Sequence, residues 1–208
     1  MKRIDFWFSI GSTYSYLTVM RLHQVARETG AEIAWRPFNV REMMIAQDNI
    51  PFARKPAKAA YMWRDIERRA AKYGLSPHLP APYPLDNLAL ANQVALVGME
   101  EGWGPVYVVE SYKRWFEAGE MAGSEPNLST SIAAAGEDPE RVLARAESAQ
   151  VVEKLVHETA VATDLGLFGV PAFVVEGELF WGDDRLDDAI QWAKYGHLGE
   201  SIAPARPI

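Results

Sequence analysis

Residues 4–17 read IDFWFSIGSTYSYL. Residues 3–10 are almost continuously apolar or aromatic, and Gly11, Ser12 and Thr13 follow as a polar turn. An apolar run of this kind, ending in such a turn, reads as a buried strand. Ser12 or Thr13 then caps a helix predicted to reach about Thr29, with Val19, Leu22 and Ala26 on one face and Gly30 stopping it. AEIAWRPF (31–38) reads as a second strand, with Ile33 and Trp35 on one face. Strand, helix and strand within about 35 residues form a βαβ unit, so the two strands are expected to be parallel.

From about residue 40 to 163 the signals are helical. KAAYMWRDIERRAAKYG (58–74) places Met62, Ile66, Ala70 and Tyr73 on one stripe and stops at Gly74. SPHLPAPYP (76–84) carries four prolines and reads as an extended loop. Asp86 opens a helix to roughly Glu101, and YVVESYKRWFEAG (107–119) reads as another. EDPERVLARAES (137–148) starts with Asp138 as cap, Pro139 in the first turn and Glu140 beside the helix dipole. A further helix, 150–164, stops at Gly166.

The β pattern then returns. PAFVV (171–175), an EG turn and ELFWG (178–182) read as an antiparallel hairpin, and DDRLDDAIQWAKY (183–195) as a closing helix. The order β-α-β, helices, β-β-α predicts one mixed four-stranded sheet with helices on its faces. The expected fold is therefore α/β and thioredoxin-like, with a large all-helical insertion. The expected division is 1–38 plus 164–208 for the thioredoxin-like part and 39–163 for the insertion.

Composition narrows the chemistry. The 208 residues contain no cysteine. Disulfides, thiolate metal ligands and thiol catalysis by the chain itself are excluded, so thiol chemistry here needs a thiol from outside. A formal net charge of −7 argues against nucleic acid and anionic membrane as partners. Asp5 interrupts the early apolar run and no run approaches the ~18 apolar residues of a spanning helix. A soluble cytoplasmic protein with no signal peptide is expected. The four histidines, His23, His78, His157 and His197, show no ligand spacing, so no metal site is expected.

Three segments can carry chemistry. Ser12 stands at the carboxyl end of a parallel strand and at a helix start, where α/β sheets place ligands and where a thiolate, carboxylate or oxyanion is favoured. It can equally be a helix cap alone. Val170–Pro171 precedes a strand; in a thioredoxin-like layout this bond is expected to be cis and to face the first helix, offering the Val170 backbone to an extended ligand. Asp183 and Asp184 can bind an ammonium group or cap the last helix. A hydrolase nucleophile elbow is disfavoured, because IGSTY lacks the second glycine of G-x-S-x-G. Trp35, Trp63 and Trp115 read as core.

DFWFSIGSTYSYL (5–17), RPF (36–38) with QDN (47–49), PAKAAYMWRDIERRA (56–70) and FGVPAFVVEGELFWGDDRL (168–186) together resemble the 2-hydroxychromene-2-carboxylate isomerases. They are also similar to kappa-class glutathione transferases and, more distantly, to DsbA oxidoreductases. The resemblance implies glutathione as cofactor and a small aromatic substrate. It implies that Ser12 hydrogen-bonds the glutathione sulfur and that Val170, before cis-Pro171, pairs with the cysteinyl backbone. Asp183 and Asp184 match positions that hold the γ-glutamyl end, Asn49 a glutathione contact from the insertion, and Tyr83 an aromatic-substrate contact. It further implies a homodimer. The chain departs from the family at two places: Thr13 stands where the pattern has proline, and the lysine of the substrate pocket aligns near Met44. The activity implied is glutathione-dependent cis–trans isomerisation. A kappa-type transferase and a redox-inactive DsbA-like binding module are the alternatives.

Overall fold

A computed structural model describes residues 1–49, 52 and 55–199. Strand β1 (Ile4–Phe8) leads into helix α1 (Ser15–Thr29), which ends at Gly30 in the left-handed conformation, φ 72°. Strand β2 (Ile33–Pro37) follows, paired parallel to β1 with Ile4 opposite Ile33 and Phe8 opposite Pro37. Strands β3 (Ala172–Val175) and β4 (Glu178–Trp181) form the hairpin. Its turn residues, Glu176 and Gly177, both have positive φ (48° and 90°), as a two-residue turn matched to the strand twist requires. β3 lies antiparallel to β1, so the sheet order is β2-β1-β3-β4. The mixed sheet and thioredoxin-like order are as the sequence predicts.

Among the described residues seven α-helices lie between β2 and β3: α2 (Val40–Ala46), α3 (Pro56–Lys72), α4 (Leu88–Glu101), α5 (Gly104–Lys113), α6 (Asn127–Ala134), α7 (Pro139–Ala146) and α8 (Ala149–Asp164). A π-helical segment, Arg114–Ala118, continues α5. Helix α9 (Leu186–Tyr195) closes the described chain after a short 3₁₀ turn, Asp183–Arg185. Residues 200–208, assigned from sequence to the thioredoxin-like part, lie outside the described residues.

The pleat sorts the sheet into two faces. Ile4, Phe6, Phe8, Phe173 and Val175 pack into one large core shared with α1, α9 and the helices of the insertion. Trp7, Ala172 and Val174 point the other way, onto Val40 and Met43 of α2 and Ala162 of α8. Insertion helices thus cover both sides of the sheet.

Local signals differ from the structure in a few places. α1 begins at Ser15, not at Ser12 or Thr13, and its N-terminal flank Tyr14 makes no side-chain cap bond. The turn before it is tight, with Tyr16 N–H to Thr13 C=O at 3.3 Å and Leu17 N–H to Tyr14 C=O at 3.2 Å. α4 starts at Leu88 rather than Asp86, and α5 starts at Gly104, three residues ahead of the expected Tyr107, because Pro105 serves its first turn. Asp138 caps α7 as expected, accepting from Glu140 N–H at 3.1 Å. Trp115 is fully buried, whereas Trp35 and Trp63 are only partly so.

Candidate functional site

The loop between β1 and α1 is held from behind by the insertion. Asn92 of α4 accepts from Ile10 N–H at 2.8 Å and donates to Ile10 C=O at 3.0 Å. The Tyr112 hydroxyl of α5 lies 2.9 Å from Ser9 C=O and 3.2 Å from Ser12 C=O. Burial pushes the Tyr112 phenol far above its ordinary pKa, so it stays a donor. Gly11 turns at φ 130°, and a Cβ there would meet Leu88 Cδ1 at 2.3 Å. The turn is therefore rigid.

Ser12 sits half-buried on this turn. Its hydroxyl donates to Val170 C=O at 3.1 Å and accepts weakly from Ser15 N–H at 3.4 Å. Its partner comes from the far end of the chain. The Val170–Pro171 bond is cis, as expected, and Val170 is buried. Val170 N–H makes no hydrogen bond among the described residues. Thr13 is 3 % exposed and donates to Met62 Sδ at 2.9 Å, tying the turn to α3.

The loop that carries Val170 is fixed by the hairpin. Gly182 N–H donates to Pro171 C=O at 2.9 Å. A Cβ on Gly169 would meet Trp181 Nε1 at 2.7 Å, so the indole lies directly on the loop backbone. Phe168 packs on the same indole at a tilt of 58°, centroids 4.9 Å apart. F-G-V-P and F-W-G are one folded unit.

The two aspartates have different surroundings. Asp183 is 3 % exposed. Its carboxylate accepts from Thr18 Oγ1 and Tyr73 OH, each at 2.9 Å, and from Arg21 at 3.1 Å. Neither aspartate supplies a side-chain cap to α9. Asp183 is instead the junction of α1, α3 and the hairpin end. Asp184 has a side chain 46 % exposed and lies 3.6 Å from Arg69.

Tyr83 stands on a separate wall. Its ring packs edge-on against Phe52 (5.9 Å) and Trp63 (6.2 Å). Trp63 continues to Phe116 of the π-helical segment, whose ring stacks on Tyr16 at 4.1 Å. Burial raises the Tyr83 phenol above its ordinary pKa, opposed by the positive charge of Arg41. Asn49 is exposed beyond the end of α2, with its N–H on Met44 C=O at 2.7 Å, and shares no hydrogen bond with Ser12 or Val170 among the described residues. The same helix end is tied to the Val170 loop, because Gln47 donates to Leu167 C=O at 3.1 Å.

The structure thus joins Ser12, Val170 and Pro171 directly, and places Asp183 and Asp184 one hydrogen bond further along. Asn92, Tyr112, Arg69 and the aromatic wall around Trp63 did not emerge from the sequence. Their signal is tertiary, because each acts on a segment far away in the chain. Among the described residues no helix is long and apolar enough to cross a membrane.

A four-stranded mixed sheet, a cis-proline opposite the first helix and helices inserted between the halves define the class: a thioredoxin-like fold of DsbA type. The chain belongs to the DSBA-like thioredoxin domain family, whose profile matches residues 3–191, and within it to the 2-hydroxychromene-2-carboxylate isomerases. It is 31 % identical to the 2-hydroxychromene-2-carboxylate isomerase of Sphingobium xenophagum over 89 % of this chain and 95 % of that one. Glutathione S-transferase kappa 1 of Caenorhabditis elegans is 26 % identical over 89 % of this chain and 88 % of that one. A solved 2-hydroxychromene-2-carboxylate isomerase superposes with a TM-score of 0.79 at 26 % identity, covering 89 % of this chain and 91 % of that one.

Proposed function

We propose that this protein is a glutathione-dependent cis–trans isomerase of 2-hydroxychromene-2-carboxylate-type aromatic compounds. One observation carries the reading: in a chain without cysteine, the Ser12 hydroxyl meets the carbonyl of the residue before the cis-proline. A hydroxyl donor there suits a sulfur brought in by a ligand. The free Val170 N–H beside it suits the ligand's backbone.

Bound glutathione would supply a thiolate, able to add reversibly to an electron-poor ring carbon and free a carbon–carbon bond to rotate. The chain does the rest. Ser12 offers its single proton to the sulfur, and the start of α1 adds a partial positive charge. Val170 N–H and C=O orient the cysteinyl unit. The edges of Phe52, Trp63 and Tyr83 receive an aromatic ring. Tyr83 remains a neutral donor, and Arg41, whose guanidinium donates to Leu85 C=O at 2.7 Å in the loop that carries Tyr83, is the cation offered to a substrate carboxylate. In this way α2 supplies a positive charge, although the family's lysine aligns near Met44.

The test follows conversion of 2-hydroxychromene-2-carboxylate by absorbance, with and without glutathione. Conversion that requires glutathione supports the reading. Conjugation of chlorodinitrobenzene without isomerisation favours the transferase reading, which the kappa-class relative motivates. Absence of both, with no glutathione binding at millimolar concentration, leaves a binding module.

A further inference from the structure

Two clefts flank β2, the edge strand of the sheet, and Trp35 forms a wall of both. In one the charges satisfy each other. Arg36 lies 2.9 Å from Glu158, and Lys154 pairs with Glu100. The other cleft, of about 430 Å³, is mostly apolar. Leu22 and Ala26 of α1, Ile33 and Trp35 of β2, and Val106 and Val109 of α5 line it. Its volume lies within the roughly 300–1,000 Å³ of small-molecule sites. Its floor is preformed, because the Trp35 ring packs edge-on against Phe6 and Phe8, with centroids at 5.1 and 5.5 Å.

Two polar side chains interrupt this apolar lining. Glu110 of α5 has a side chain 26 % exposed, and its ion-pair partner Lys113 stands 3.9 Å away, too far for a hydrogen bond. Lys113 is itself exposed and does not line the cleft. His23 comes from α1, on the opposite wall, and its ring makes no hydrogen bond among the described residues. A neutral imidazole has one accepting nitrogen. Both groups can therefore accept, and one of them is a carboxylate without a donor. An ammonium group on an apolar body is the complement of such a lining.

We infer that this cleft is a second binding site, which takes a small molecule with an apolar ring body and one ammonium group. The ammonium pairs with Glu110, and the body lies against Trp35 and Val106. Val106, 49 % exposed, forms the rim. The cleft is separate from the site around Ser12. At 1.5 Å per residue, Leu22 and Ala26 lie roughly 10 and 16 Å along α1 from its first residue, Ser15. Nothing in the cleft calls for a thiol, so the inference stands independently of the glutathione reading.

The test is calorimetric, on the intact protein, with three probes of similar shape: 2-naphthylmethylamine, 2-naphthylmethanol and 2-naphthoate. The amine is expected to bind most tightly, and an excess of glutathione is expected to leave its affinity unchanged. Glu110→Gln is expected to weaken the amine about 10-fold, the low end for a hydrogen bond to a charged group, and to leave the alcohol unchanged. Val106→Arg, at an exposed position, puts a cation on the rim and is expected to weaken the amine and strengthen the naphthoate. Equal affinity for the three probes, or an amine affinity indifferent to Glu110→Gln, overturns the inference. Displacement of the amine by glutathione overturns it too, by placing the amine at the Ser12 site. Amine affinity that falls as rising protein concentration drives dimerisation shows a second copy in the cleft, and also overturns it. So does the absence of amine binding at millimolar concentration.

Discussion

Ser12→Ala isolates what one hydroxyl does for a bound thiol. Ser12 has a single proton to give, and without ligand it gives it to Val170 C=O at 3.1 Å. Serving a thiolate therefore exchanges a neutral hydrogen bond, about 1 kcal/mol, for one to a charged group, about 1.5–3 kcal/mol. The differential is about 0.5–2 kcal/mol, which corresponds to roughly 0.4–1.5 units in the pKa of the bound thiol. It is smaller than the whole worth of a charge-assisted bond, because the hydroxyl is already employed. In Ser12→Ala the bound glutathione thiol should titrate higher by that amount, and turnover near neutral pH should fall about 2- to 30-fold. The unliganded fold should lose about 1 kcal/mol through the unpaired Val170 carbonyl. Thiolate absorbance of bound glutathione, followed across pH in both proteins, measures the shift directly. Superimposable titration curves with glutathione bound in both would refute the assignment and leave Ser12 as a structural tie.

Other outcomes follow from the same contacts. Asp183→Ala removes the counter-charge of Arg21, whose side chain is 15 % exposed, and should cost about 3–5 kcal/mol in urea unfolding; an unchanged midpoint would contradict the anchoring role. Gly169→Ala drives a Cβ toward Trp181 Nε1, displacing the indole or the Val170 loop at about 1–3 kcal/mol, visible as a change in Trp fluorescence together with a lowered midpoint. Burial holds the phenols of Tyr14, Tyr16, Tyr107 and Tyr112 above their ordinary value of 10.0. The folded chain then keeps protons that the unfolded chain releases. Their contribution is complete below pH 10.0 and declines above it, so urea midpoints should drop on the alkaline side.

The sheet was readable because its strands carry their own signals: aromatic runs, a glycine turn with two positive-φ residues, and a proline at a strand entry. Gly30 and Asp138 likewise mark helix ends through purely local chemistry. The start of α1 was misplaced because the Ser12 and Thr13 hydroxyls donate to distant partners, Val170 and Met62, and Ser12 keeps only a weak bond from Ser15 N–H of its own helix. Asp183 was ambiguous for the same reason. Its donors Thr18 and Arg21 lie over 160 residues earlier in the chain, and no local pattern announces them. The aromatic wall was hidden because Trp63 and Tyr83 come from an amphipathic helix and a proline-rich loop. Only their meeting makes a surface.

The sheet order also bears on how the chain is made. Asp5 of the central strand pairs with Val174, roughly 170 residues later. At about 5–20 residues per second of synthesis, β1 waits on the order of ten to thirty seconds for its second neighbour. Throughout that interval Trp7 lacks Ala172, its partner across the β1–β3 ladder. The nascent chain therefore exposes an aromatic strand edge while it already holds most of its helices. Ser12 gains its partner only when almost the whole sequence has emerged.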